Sequence, residues 1–180
     1  MQKKIKEATK ILQNGGIILY PTDTIWGIGC DATNEQAVSK IFDIKKRIKS
    51  KALISLFENK DHLLTITNNL PKEAENNKPT TIIYNNISGL ATNLKAQDGS
   101  AAVRIVQDSF CQQLIKKFKK PIVSTSANIS GENSPSQFSE ISDEIKNNVD
   151  YIVNLRRNEI MSISSSIIKI NKDGSIQNIR

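Results

Sequence analysis

Lys45, Arg47 and Lys51 place three cations within seven residues of an otherwise mixed segment. Arginine binds a phosphate or carboxylate with a planar fork, and lysine adds a mobile point charge. A second group, STSAN at 124–128, offers three hydroxyls and one amide with no charge of its own. Beside the cations, such a segment is equipped to hold a polar anionic ligand. Arg104 sits inside the apolar run AAVRIV. An arginine there must meet an anion or reach water, and strand alternation also permits an outward position on a half-exposed strand. YPTDTIWGIGCDA, 20–32, sets two threonines around Asp23 and two glycines around Ile28. It reads as strand, turn, strand with a half-buried Trp26. Hydroxyls and glycines at a strand end also suit a ligand crevice.

Other phosphate chemistry is missing. There is no GxxxxGK[ST] and no GxGxxG, so no Gly-rich cradle is available. A single histidine without a nucleophile elbow rules out a serine triad. Phosphates would have to be held by side chains and loop amides. The cations at 45–51 also fit a solvated helix end, where positive charge suits the dipole. Lys116 to Lys120 reads as a solvated helix face and carries no site.

The elements that position these residues follow from periodicity. Ile5, Ala8, Ile11 and Leu12 form a helical stripe that Asn14-Gly15-Gly16 ends. Ile17 to Tyr20 is a short strand stopped by Pro21. Thr33 or Asn34 caps a helix with the stripe Ala37, Val38, Ile41, Phe42, and this helix delivers the chain to Lys45. Strands are predicted at 52–57, 80–84, 101–106, from Ile122 into STSAN, and at 151–153. Short helices are predicted at 61–66 and 139–146, and a longer one on the stripe Phe110, Leu114, Ile115, Phe118. Residues 68–79 fit a helix or a surface loop, and 85–99 read as irregular. Ile167 to Ile170 and Ile176 to Ile179 flank Lys172-Asp173-Gly174 as a hairpin. The alternation predicts an α/β fold with a twisted mixed sheet.

The 180 residues are enough for one domain with a sizeable core. The net charge of +7 favours anionic partners, although the Lys-, Asn- and Ile-rich composition fits an AT-rich codon bias equally well. Cys30 and Cys111 lack CxxC partners, and His62 lacks a metal-ligand spacing, so no metal site is expected. The thiols are expected to be buried or reduced. No signal peptide or membrane span is expected.

YPTDTIWGIGCDA, KKRIKSKALI at 45–54, VRIV at 103–106 and STSANISGENS at 124–134 resemble the YrdC-like family in order and spacing. The likeness runs from about Ile11 to Arg180 and is nearest to the family's single-domain threonylcarbamoyl-AMP synthases. It implies one domain over 1–180, an α/β fold with a basic concave face, and a cytoplasmic enzyme. The reaction would join L-threonine, bicarbonate or CO2, and ATP into threonylcarbamoyl-AMP and pyrophosphate, with Mg²⁺ accompanying ATP. The product would feed threonylcarbamoyladenosine formation in tRNA through a separate transferase complex. The family's KxR and SxN pattern falls on Lys45, Arg47, Ser126 and Asn128, the implied catalytic set. Lys51, Ser100, Ser134 and Arg180 would join Lys45, Arg47 and Ser126 on ATP. Thr24, Arg104, Ser124 and Ser165 would bind threonine, Arg104 through its carboxylate.

The chain departs from the family pattern at four places. Ile48 stands where a proline usually follows the KxR arginine, and Leu56 near a frequent histidine. Trp26 replaces a commoner tyrosine, and Lys169 a frequent aspartate. Two other readings share the fold. One is a tRNA- or double-stranded-RNA-binding module, whose members commonly lack the KxR and SxN residues kept here. The other is the related domain of hydrogenase-maturation carbamoyltransferases, which normally sits in a larger, cysteine-bearing chain.

Overall fold

A computed structural model describes residues 1–47, 53–75, 78–85, 87–171 and 173–180. The chain begins with α1 (Gln2–Gln13), whose Ile5, Ala8 and Leu12 are buried. Asn14 caps it, and Gly15 takes a φ of +70° to reverse the chain. β1 (Ile18–Pro21) and β2 (Trp26–Gly29) pair antiparallel around the PTDT turn. α2 (Glu35–Ile44) starts at Asn34, whose side chain accepts from the Gln36 and Ala37 amides, as its residue type predicts.

β3 (Ile54–Phe57) precedes α3 (Lys60–Leu63), and β4 (Thr80–Tyr84) and β5 (Ala101–Ile105) follow. α4 (Ser109–Phe118) buries the predicted stripe and leads into β6 (Ile122–Ser126). α5 (Asp143–Asn147), β7 (Tyr151–Ile152), β8 (Ser166–Ile170) and β9 (Ile176–Asn178) complete the chain. The helix expected over 139–146 is split. A 3-10 turn covers Phe138–Glu140, Ile141 is extended, and Ser142 caps α5 with its hydroxyl. The helix expected over 61–66 starts one residue earlier, because the Asn59 side chain caps it, and ends at Leu63. Within 68–79, Lys72–Glu75 form a 3-10 turn.

Among the described residues, nine strands form one mixed sheet in the order β7-β1-β2-β6-β3-β5-β4-β8-β9. β3 and β5 are parallel, as are β4 and β8, and β1 and β7; the other neighbours are antiparallel. Residues paired across a register share a face. Ser124, Ile54, Ala102 and Ile83 therefore form one row across β6, β3, β5 and β4. Two positions along on the same face, Ile122 pairs with Leu56, which pairs with Arg104. α1 and α4 cover that end, where Leu56 and Ile122 join a core with Ile5, Leu12, Ile18, Tyr20, Phe110 and Leu114. The row through Ser124 is left beyond the helices. The opposite face carries the larger core, with α2 packed over Leu19, Ile28 and Val123. Trp26 belongs to this core and is fully buried rather than half-buried, because β2 is an interior strand and Phe138 packs on the indole at 5.0 Å.

Two glycines let the strands close up. A Cβ on Gly29 would lie 2.3 Å from the Val123 carbonyl oxygen and 2.7 Å from the Tyr20 ring. Tyr20 crosses that gap and donates its hydroxyl to the same Val123 oxygen at 3.0 Å. Gly27 lies under Ser124 Oγ. This close approach fixes the end of β6 from which STSAN leaves.

Candidate functional site

Two adjoining cavities open on the uncovered part of the sheet. The larger, of about 280 Å³, is lined by Arg47, Ser126, Ser134 and Arg180 over a floor of Ile54, Ile83 and Ala102. The smaller, of about 50 Å³, is reached past Ser124, Ser126, Ser164 and Arg180, which line both, and adds Thr24, Arg104 and Ser165. The only charged side chains lining either cavity, among the described residues, are the three arginines. Such a cleft suits anions.

The inner cavity is built by the PTDT turn. Thr22 Oγ1 accepts from the Thr24 and Ile25 amides and donates to the Ile25 carbonyl at 2.8 Å. The Thr22 carbonyl in turn accepts from Arg156 Nη1 at 3.0 Å, and Arg156 also pairs with Asp108 at 2.8 Å. The turn is thus tied to the start of α4. Asp23 then reaches Arg104 Nη2 at 2.9 Å with one oxygen and accepts from the Gln107 amide at 3.1 Å with the other. Arg104 is 3% exposed, so the outward position that strand alternation allows is not taken. It solves its burial with Asp23. Its Nε is buried with no partner among the described residues, a donor left for an incoming acceptor. Thr24 Oγ1 stands 3.4 Å from Nη2. On the far wall Ser165 Oγ is 2.8 Å from Thr81 Oγ1, and Arg180 donates to the Ser165 carbonyl at 3.1 Å.

The outer cavity depends on how α2 ends. Lys45 is the C-cap, and Lys46 takes a left-handed φ of 49°. The Lys46 amide then donates to the Asp43 carbonyl and the Arg47 amide to the Phe42 carbonyl at 2.9 Å. This is the two-bond helix stop that usually employs glycine. The reversal sends Arg47 to the cleft and Lys45 away from it. Lys45 has no exposed surface. Its ammonium donates to the Ser126 carbonyl and, at 2.6 Å, to the Asn128 carbonyl. Burial, then the nearby Arg47, lowers its pKa to about 7. Asn128 uses its amide on the Ile129 and Glu132 carbonyls at 3.0 and 2.7 Å.

The structure therefore brings Arg47, Ser126, Ser134, Arg180, Thr24, Arg104, Ser124 and Ser165 to one cleft. Lys45 and Asn128 stand behind its wall. Ser100 lies outside the lining, its amide bonded to Asp98 in the loop before β5. Lys51 falls outside the described residues. Asp23, Arg156 and Thr81 were not anticipated as site residues. For Asp23, the presence of a carboxylate between two threonines was the available clue; nothing in sequence links it to Arg104. Lys169 turns to Asp98, 3.7 Å away, and Leu56 is buried against α4. Among the described residues no group of three His, Cys, Asp or Glu side chains could hold a metal, and no helix is long and apolar enough to cross a membrane. Both cysteines are buried and free.

Residues 10–180 match the Sua5/YciO/YrdC family model, described as telomere recombination. A threonylcarbamoyl-AMP synthase of Pseudoalteromonas translucida is 33% identical over 162 residues, 84% of this chain and 86% of that protein. One from Acinetobacter baumannii is 35% identical over 144 residues, covering 71% of this chain and 74% of its own. The crystal structure of P. abyssi Sua5 complexed with L-threonine superposes with a TM-score of 0.85 at 25% identity. It covers the whole of this chain, which spans 54% of that longer protein. E. coli YciO shares the fold, with a TM-score of 0.83 at 22% identity over 100% of this chain and 89% of its own. The chain belongs to the Sua5/YciO/YrdC family.

Proposed function

We propose that this member of the Sua5/YciO/YrdC family is a cytoplasmic threonylcarbamoyl-AMP synthase, a nucleotidyltransferase that uses L-threonine, bicarbonate or CO2, and ATP. The observation that carries the reading is the joined pair of cavities. The inner one gathers Thr24, Arg104, Ser124 and Ser165; the outer one gathers Arg47, Ser126, Ser134 and Arg180; three serines and Arg180 line both. An amino acid and a nucleotide held there would meet at the shared wall.

Threonine enters the inner cavity with its carboxylate on Arg104. Its neutral amine adds to CO2, forming an N–C bond and losing a proton to give the carbamate. A carbamate oxygen then attacks the α-phosphorus of ATP, and pyrophosphate leaves with the electrons of the broken P–O bond. Both reactants are anions. Arg47 and Arg180 offset their repulsion and the charge that builds on the phosphoryl oxygens. Mg²⁺ arrives with ATP as part of the substrate; the cleft lining includes no Asp or Glu side chain among the described residues, and phosphate oxygens and water would hold it. Among the described residues no lining side chain is placed as a general base, and alignment of the reactants supplies most of the rate. The product would pass to a threonylcarbamoyl-transferase complex acting on tRNA.

The test incubates purified protein with ATP, Mg²⁺, bicarbonate and radiolabelled L-threonine. Threonine-dependent pyrophosphate and a labelled adenylate are expected. Folded protein that yields neither but binds tRNA tightly would replace this reading with an RNA-binding one.

A further inference from the structure

We infer that Lys45 is a positioning residue: it sets the wall of the cleft from behind, through Ser124 and Ser126, without touching the nucleotide. The inference rests on the synthase reading above and departs from the ATP contact that the KxR resemblance implies for this lysine.

The geometry is that of a hub. The ammonium has three N–H donors, and three oxygens lie within reach: the Ser126 carbonyl, the Asn128 carbonyl at 2.6 Å and Asn128 Oδ1 at 3.5 Å. Those donors are therefore spent on the loop. The Lys45 carbonyl accepts from the Ser130 amide at 2.8 Å, so the loop closes on both ends of the residue. Asn128 completes the clasp through Ile129 and Glu132. Lys45 is fully buried and lines neither cavity, while Arg47, two residues on, lines the larger one. Ser124 and Ser126, in the strand that this clasp terminates, line both. An ammonium that touched only ATP would govern one cavity. One that holds the end of β6 governs both.

That difference is measurable. Threonine and ATP binding are each measured separately by calorimetry on the wild type, Lys45→Met and Arg47→Ala. Lys45→Met is expected to weaken both ligands, each by roughly tenfold, the lower end of the loss seen when a residue that orients a metal's ligands is removed. Arg47→Ala is expected to weaken ATP and leave threonine within about twofold. A second measurement needs no variant. The Lys45 side-chain resonance is followed through a pH titration of the wild type with and without a non-hydrolysable ATP analogue and Mg²⁺. A titration midpoint that stays in place supports the positioning role; an upward move of a pH unit or more, as a triphosphate against the ammonium would cause, overturns it. Unchanged threonine affinity in folded Lys45→Met overturns it as well. A wild type that binds no threonine and makes no adenylate would instead refute the synthase reading, which keeps the two failures apart.

Discussion

Removing Asp23 should expose how much the fold pays to bury Arg104, and threonine should partly repair the damage. The two side chains are 8% and 3% exposed and 2.9 Å apart. Asp23→Ala leaves the guanidinium in place with its counter-charge gone, and removes the bond from the Gln107 amide to Asp23 as well. Breaking a buried pair from one side costs about 3–5 kcal/mol. At roughly 2–4 °C per kcal/mol for a chain of this size, the melting temperature should fall by roughly 10 °C. The double variant Asp23→Ala/Arg104→Met removes the orphaned charge and should recover at least half of that loss, a coupling that a double-mutant cycle reads directly. Saturating L-threonine brings a carboxylate to the same guanidinium, now without its counter-charge, so it should raise the melting temperature of Asp23→Ala by more degrees than it raises the wild type's. Thermal unfolding followed by circular dichroism, with and without threonine, measures all three. A fall under about 1 kcal/mol, or a threonine shift no larger than in wild type, would refute the claim that Arg104 is a buried cation held by Asp23 with a donor open to a second carboxylate.

Four further outcomes follow from particular contacts. Lys45→Met should flatten the pH dependence of stability between pH 7 and 9. Burial holds the lysine's folded pKa near 7, below its ordinary 10.5, so the unfolded chain binds more protons in that interval and wild-type stability rises with pH, by up to about 1.4 kcal/mol per unit. The buried thiols act in the opposite sense only near and above their ordinary value of 9.0, and a wild type with no rise in urea midpoint from pH 7 to 9 would contradict the burial. Gly29→Ala must push a methyl into the Val123 carbonyl at 2.3 Å; a loss of about 3 kcal/mol or insoluble expression is expected, and a wild-type melting curve would speak against the β2–β6 packing. Lys46→Gly relieves a left-handed φ of 49° at the loss of an exposed ion pair with Glu144; it should stabilise by about 0.5–1 kcal/mol with turnover intact, and destabilisation would mean the ion pair matters more than the backbone. Arg180→Ala removes a cation common to both cavities and should raise KM for ATP by roughly tenfold; unchanged steady-state kinetics would take Arg180 out of the site.

Most of the elements were legible because each carries a local cause. Asn34 caps α2, Asn14-Gly15 ends α1, and alternation or short β-branched runs mark β4, β5 and β8. The sheet order was not legible. β3 lies between β6 and β5 through pairings that span tens of residues, and no local periodicity encodes which edges meet. A local cause explains the two misplaced short helices. Asn59 and Ser142 each cap a helix with a side-chain oxygen, and a single cap residue outweighs a weak stripe when only one turn is at stake.

The site shows a different limit, one of direction. Lys45 and Arg47 are separated by one residue, and Ser126 and Asn128 likewise, so a linear motif presents each pair as equivalent partners for one ligand. The chain separates them. The left-handed Lys46 turns Arg47 toward the cleft and Lys45 into the protein. At the end of β6 the Asn128 amide closes back on Ile129 and Glu132 while Ser126 stays in the lining. The outcome is two residues facing the cleft and two facing the loop that holds them. Residues of both kinds would be equally intolerant of substitution, since a wall without its clasp loses the site as surely as a clasp without its wall. A pattern of required residues therefore identifies the site but not which of its members touch the substrate. Here that assignment comes from the end of α2: Lys45, still in helical backbone, is held behind the wall by the loop carbonyls, and the left-handed Lys46 turns the chain so that Arg47 lines the cleft.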